Sequence, residues 1–252
     1  MPRKLRLALI LAAVLATTTA RADTVKVLTS GAYKQIVLAL VPAFENRTGH
    51  TVVVSNDTAG ALAKRVAGGE IFDVLVLTPA AMKEFAARGT VLATSLKPLA
   101  QVGIGVAVKA GAPHPAIGSV DQFRQALLGA RKVAYIDPAA GGSSGIYLEG
   151  LFQRLGIADA IHAKAVLVQG GFVAEKLVTG EADLAVHQVS EILPVTGAEL
   201  IGPIPEAVQN YTTYAGAVSG KSLHPQAAQA FLDSLSGEAA TAVLQQKGML
   251  PP

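Results

Sequence analysis

The chain has 252 residues, a formal charge of +3, 51% hydrophobic and 15% charged residues, and no cysteine. That length and apolar content suffice for a buried core without disulfides, and the missing thiol excludes a cysteine nucleophile and a thiolate metal site. Arg3, Lys4, Arg6 and Arg21 all precede Asp23, so a chain starting there carries +3 − 4 = −1, a balance that does not point to nucleic acid.

Residues 1–22 read as a secretory signal peptide. Arg3, Lys4 and Arg6 form a basic start, Leu7 to Ala16 an apolar core, and Ala20-Arg21-Ala22 a small-x-small cleavage site. The apolar run is shorter than the ~20 residues of a membrane span. The expectation is a periplasmic protein, cleaved after Ala22, of 252 − 22 = 230 residues. No cysteine follows the leader to carry a lipid anchor.

Val25 to Thr29 predicts a strand ending at Ser30-Gly31, and Ala32 to Phe44 a helix that Pro42 should kink or shorten. Thr51 to Ser55 is a second strand. It is followed by the polar loop Asn56 to Gly60 and a helix from Ala61 that Gly68-Gly69 closes. Phe72 to Thr78 is a third strand, with Pro79 opening the next helix. This β-loop-α rhythm predicts a parallel sheet flanked by helices, with polar loops at the carboxyl ends of its strands, where open α/β sheets hold ligands.

Val102 to Val108 reads as one further strand and Ala110 to Pro115 as a linker. Beyond it come a helix (Gln122 to Leu128), a strand (Lys132 to Ile136) and the loop Asp137 to Gly145. A helical apolar pattern leaves that loop through Leu148, Leu151 and Phe152. Ala165 to Val168 and Asp183 to His187 are strands. Tyr211 to Val218 is extended, and two helices end the chain. Two βα clusters thus flank Val102 to Pro115. If the last stretches return to the first cluster, the chain makes two lobes: residues 23–105 with 216–252, and residues 106–215.

The loop before the Leu148 helix offers free backbone N–H groups, the hydroxyls of Ser143 and Ser144, and the positive end of a helix dipole, which together suit a small anion. The same loop also reads as an ordinary turn capped by a serine. His50, His114, His162, His187 and His224 show no ligand spacing, so neither metal nor cofactor is expected. Lys64, Arg65, Arg131 and Lys132 read as solvated charges, Glu191 as a residue of the cleft rim, Tyr147 as a packing residue and Asp183 as a turn-fixing aspartate.

Several stretches together resemble the periplasmic molybdate-binding-protein family, the type II substrate-binding proteins of ABC importers. Gly180-Glu-Ala-Asp-Leu-Ala-Val186 resembles the family's GEADAGIV segment, and Thr58-Ala-Gly-Ala-Leu62 its SSGxL helix start. Phe72-Asp-Val74 resembles its ADV strand, Asp137 to Gly145 its third ligand loop, and Ala228 to Phe231 its AxxF helix. The resemblance covers essentially the whole chain after the leader. It implies an α/β fold of two lobes, each a mostly parallel sheet, closing on a dehydrated anion. It also implies a monomer served by an inner-membrane ABC permease. Carried over by position, the ligand contacts are Ser30, Gly31, Thr58, Ala59, Ser143, Ser144, Gly171, Val173, His187 and Gln188.

Two departures bear on the ligand. The second-loop serine pair is Thr58-Ala59, and the family's site tyrosine aligns with Gln188, beside His187. Gln188 and His187 can accept as well as donate, which suits a ligand with its own hydroxyl or carboxyl groups and makes a small carboxylate a rival to molybdate. Aconitate isomerases are a related group on this fold and move a proton across an allylic tricarboxylate. In that alternative His187 is the candidate base. The resemblance places binding and transport first and catalysis second.

Overall fold

The computed structural model describes residues 22–252, so the expected leader, apart from its last residue, lies outside the described residues. The strands are β1 (Thr24–Ser30), β2 (Thr51–Asp57), β3 (Val74–Leu77), β4 (Lys97–Val102), β5 (Ile104–Lys109), β6 (Val133–Ile136), β7 (Ala165–Val168), β8 (Leu184–Gln188), β9 (Ala198–Pro203) and β10 (Thr212–Val218). They form two five-stranded sheets, ordered β2-β1-β3-β10-β4 and β7-β6-β8-β5-β9. In the first, β1 runs parallel to β2 and β3 while β10 is antiparallel to both its neighbours; in the second, β6 is parallel to β7 and β8 while β5 is antiparallel to β8 and β9.

The helices are α1 (Gly31–Thr48), α2 (Ala59–Ala67), α3 (Pro79–Ala87), α4 (Val120–Gly129), α5 (Ser143–Arg154), α6 (Ala158–His162), α7 (Glu175–Val178), α8 (Val189–Ile192), α9 (Pro225–Ser234) and α10 (Glu238–Gln246). They cover both faces of each sheet, and the strand sequences show why. Val25, Val27, Val74 and Val76 pack toward α1, α9 and α10, while Leu28, Leu75 and Leu77 pack toward α2 and α3. Alternate residues of a strand point to opposite faces, so a strand that is apolar throughout needs cover on both sides. The second sheet is built alike: Val133 and Tyr135 meet Phe123, Leu148 and Phe152 on one face, while Ala134 and Ile136 meet Val173 and Leu177 on the other.

Three expectations change. The run Val102 to Val108 is not one strand: it breaks at Gly103, with β4 in the first sheet and β5 in the second. The crossover is therefore Gly103, and Ala110 to Pro115 is a loop following β5. A Cβ at position 103 would stand 3.2 Å from the side chains of Gln209 and Tyr211, which belong to the return crossover. Gln209 clamps the two passages together: its Oε1 accepts from Ile104 N at 2.8 Å and its Nε2 donates to Ile104 O at 2.9 Å. Ile104 and Gly105 thus belong with the second sheet, and Thr212 to Ala215 with the first. Finally, α1 runs through Pro42 to Thr48. Pro42 is exposed and so is Leu38, whose carbonyl the proline leaves without its helical donor, so that carbonyl lies on the solvent side.

Candidate anion-binding cleft

Four strand ends converge between the sheets. Ser30 closes β1, Asp57 closes β2, Ile136 closes β6 and Gln188 closes β8. They border a cavity of about 210 Å³, which the first turns of α1, α2 and α5 also line. Among the described residues, no lysine or arginine lines it. An anion there meets hydroxyl and amide donors and helix N-termini instead, with Asp57, whose carboxylate is paired with Arg65, on the same wall. Ser30 makes no capping bond at the start of α1, and Gly142 before α5 has no side chain to make one, so the first-turn N–H groups of both helices lack a side-chain cap and are available to a ligand.

The buried side chains point the same way. Ser30 is 2% exposed and its Oγ has no hydrogen-bond partner. Gln188 is also buried. Its Oε1 accepts from Tyr214 Oη at 3.2 Å, which leaves its Nε2 unpaired. Burial, with the charge of Glu191 beside it, holds Tyr214 well above the usual phenol range, so it remains a donor. Buried polar atoms without partners are costly, and their concentration at one cavity marks a place a ligand completes.

Glu191 and His187 form the titratable pair of the cavity. Glu191 was expected at the rim but is 7% exposed, because α8 packs against α1, β5 and β9. Its Oε2 lies 3.3 Å from His187 Nε2. Burial pushes Glu191 up to about 8, with Lys34 pulling weakly the other way, and burial pushes His187 down to about 3. At neutral pH the pair is therefore uncharged, which lets an anion approach a carboxyl group without repulsion.

Ser30, Gly31, Thr58, Ala59, Ser143, Ser144, Gly171, His187 and Gln188 all line the cavity. Val173 does not: it is fully buried among Ala174 and Leu177 in the apolar core, and Gly170 and Gly171 represent that loop instead. Thr58 has little left to offer a ligand. Its hydroxyl donates to Ala140 O at 2.5 Å and accepts from Ala61 N at 3.2 Å. Beside it Gly60 N donates to Gly141 O at 3.0 Å, so this corner joins the α2 start to the loop after β6.

Sequence reading missed Tyr214, Asp57 and Asn56 as lining residues and misplaced Glu191. The i,i+4 spacing of His187 and Glu191 was visible, but across a strand end it has no fixed meaning; Tyr214 had no local signal. Tyr147 packs, donating to Val208 O at 2.7 Å, and Tyr211 donates to Glu206 Oε2 at 3.1 Å. Arg65 is not merely solvated: it bonds Glu70, Asp57 and Ser55, and holds the Glu70 carboxyl down at about 2. Asp183 accepts from Lys132 N at 3.1 Å and pairs with Arg131.

The profile of a family described as bacterial extracellular solute-binding proteins matches residues 25–250. An aconitate isomerase of Pseudomonas sp. is 36% identical over 234 residues, covering 90% of this chain and 88% of the relative. The periplasmic molybdate-binding protein of Azotobacter vinelandii superposes with a TM-score of 0.76 at 20% identity, over 90% of this chain and 99% of that one. The sulfate-binding protein SubI of Mycobacterium tuberculosis H37Rv gives 0.71 at 17% identity, over 91% and 87%. At such identities the two structures speak for the two-lobed fold.

Proposed function

Because this chain belongs to the bacterial extracellular solute-binding proteins, whose profile spans residues 25–250, we propose that its cleft binds a small tricarboxylate and isomerises it by a proton shift of the aconitate type. The observation that carries this reading is the buried His187–Glu191 pair on the cavity wall. A receptor for a bare tetrahedral oxyanion needs donors alone and gains nothing from an acid–base pair. The 36% identity to an aconitate isomerase supports the same conclusion.

The chemistry is a 1,3-shift with no net oxidation. His187 takes one proton from the methylene of the allylic acid, and one proton returns at the far end of the allyl unit as the double bond moves. The charge that develops spreads into the flanking carboxylates. The N-termini of α1 and α5, with Ser30, Ser143, Ser144 and Gln188 Nε2, hold those carboxylates and stabilise that charge. Export to the periplasm fits the family and the leader read from the sequence.

The test is direct: purified protein is incubated with cis-aconitate, and the trans isomer is followed by ultraviolet absorbance and by chromatography. Turnover is the expected result. A second reading, a receptor handing its anion to a membrane permease, is favoured by the family and its anion-binding structural relatives. Thermal stabilisation by tricarboxylates without turnover supports that reading, and stabilisation by molybdate alone overturns the carboxylate ligand.

A further inference from the structure

We propose that Glu191 is a positioning residue that sets the tautomer of His187, and that its ionisation switches the ring between a proton-donating and a proton-accepting form. The inference rests on the isomerase reading for its catalytic meaning, but its geometry stands apart from it.

His187 Nε2 is 3.3 Å from Glu191 Oε2, and His187 Nδ1 has no partner in the protein. The carboxyl group therefore decides which nitrogen carries the hydrogen. When Glu191 is ionised it accepts from Nε2–H, and the lone pair is left on Nδ1. When Glu191 is protonated its O–H donates to Nε2, and the hydrogen moves to Nδ1. The two states differ by one proton. In the first, Nδ1 is a base able to take a methylene proton. In the second, it is a donor able to hold a carboxylate.

The surroundings keep the carboxyl group at this task. Lys34 on α1 acts on Glu191 from one side, and Tyr214 on β10 senses its charge from another. Asp57 at the end of β2 lines the same cavity. Gly31, the first residue of α1, leaves the space the side chain needs: a Cβ there would stand 2.6 Å from Glu191 Oε1. The carboxylate ends a flexible chain, so it is the group that would give way.

Two measurements test this. In protein labelled with ¹⁵N-histidine, the His187 ring shifts report the tautomer whether or not the protein turns over. The expected result is a hydrogen on Nδ1 below and on Nε2 above a midpoint near pH 8, and one tautomer at every pH in Glu191→Gln. A single tautomer throughout in the unaltered protein overturns the proposal. In the aconitate assay, kcat is expected to rise with pH through the same midpoint. In Glu191→Gln, whose amide has no proton to lose in this range, it is expected to lose that pH dependence. Stabilisation of that variant by trans-aconitate should persist. A variant that keeps the inflection counts against Glu191 alone. Absence of turnover in the unaltered protein counts against the isomerase reading, and the ring shifts still judge the tautomer switch.

Discussion

At the scale of single residues, the cleft is made of groups that folding leaves unsatisfied. Ser30 Oγ bonds nothing in the protein, so Ser30→Ala should leave melting temperature nearly unchanged. It should weaken trans-aconitate binding about tenfold, the worth of one hydrogen bond to a charged group, as read by calorimetry. The His187–Glu191 pair also shapes stability against pH. His187 is depressed from 6.5 to about 3, so its contribution is present above 6.5 and lost as pH falls below it. Glu191 is raised from 4.5 to about 8, so its contribution is present below 4.5 and lost as pH rises toward 8. The two slopes oppose each other between 4.5 and 6.5, and only the Glu191 loss remains between 6.5 and 8. Ligand-free protein should therefore melt at progressively lower temperature over that upper window. Glu191→Gln should melt at a constant temperature there, with an advantage on the order of 1–3 kcal/mol at its top.

At the scale of elements, the loop between β6 and α5 is shaped by close backbone approach. A Cβ on Gly145 would stand 2.2 Å from Ile136 O, and one on Gly142 would stand 2.5 Å from Ile136 Cγ2. The start of α5 thus lies against the end of the strand before it, which puts Ser143 and Ser144 on the cavity wall. Gly145→Ala should cost at least about 2 kcal/mol by forcing the two apart, measured by denaturant unfolding. The opposing element is α2. A Cβ on Gly60 would come 3.0 Å from Gly141 Cα, where Gly60 N bonds Gly141 O and Thr58 bonds Ala140 O. Gly60→Ala should hold the lobes apart with little effect on either core. The readouts are a larger radius of gyration in small-angle scattering with trans-aconitate present, and weaker binding.

At the scale of the whole molecule, two separately covered sheets meet through Gly103 and the Gln209 segment, and the cavity lies where their strand ends face each other. A ligand held by both lobes stabilises the closed arrangement by mass action. At a concentration of one hundred times Kd the gain should be about 2.7 kcal/mol, seen as a rise in melting temperature. Since no cation lines the cavity among the described residues, affinity should depend only weakly on ionic strength. Among the described residues no helix is long and apolar enough to cross a membrane, and no cluster of three acidic or histidine side chains could hold a metal ion.

Periodicity and turn residues, read locally, determined the parallel βα rhythm, the polar loops at the strand ends and the serines at helix starts, because each is encoded within a few neighbouring positions. What required long-range contact was left to the tertiary structure. The break at Gly103 depends on Gln209, in another part of the chain, and an apolar run does not announce a change of sheet. Thr58 looked like a ligand donor until its hydroxyl met Ala140, and Val173 shared a loop with lining residues while facing the core. Tyr214 reaches Gln188 across 26 positions. Glu191 lies near His187 in the sequence, yet only the tertiary structure buries both on the cavity wall with 3.3 Å between Nε2 and Oε2.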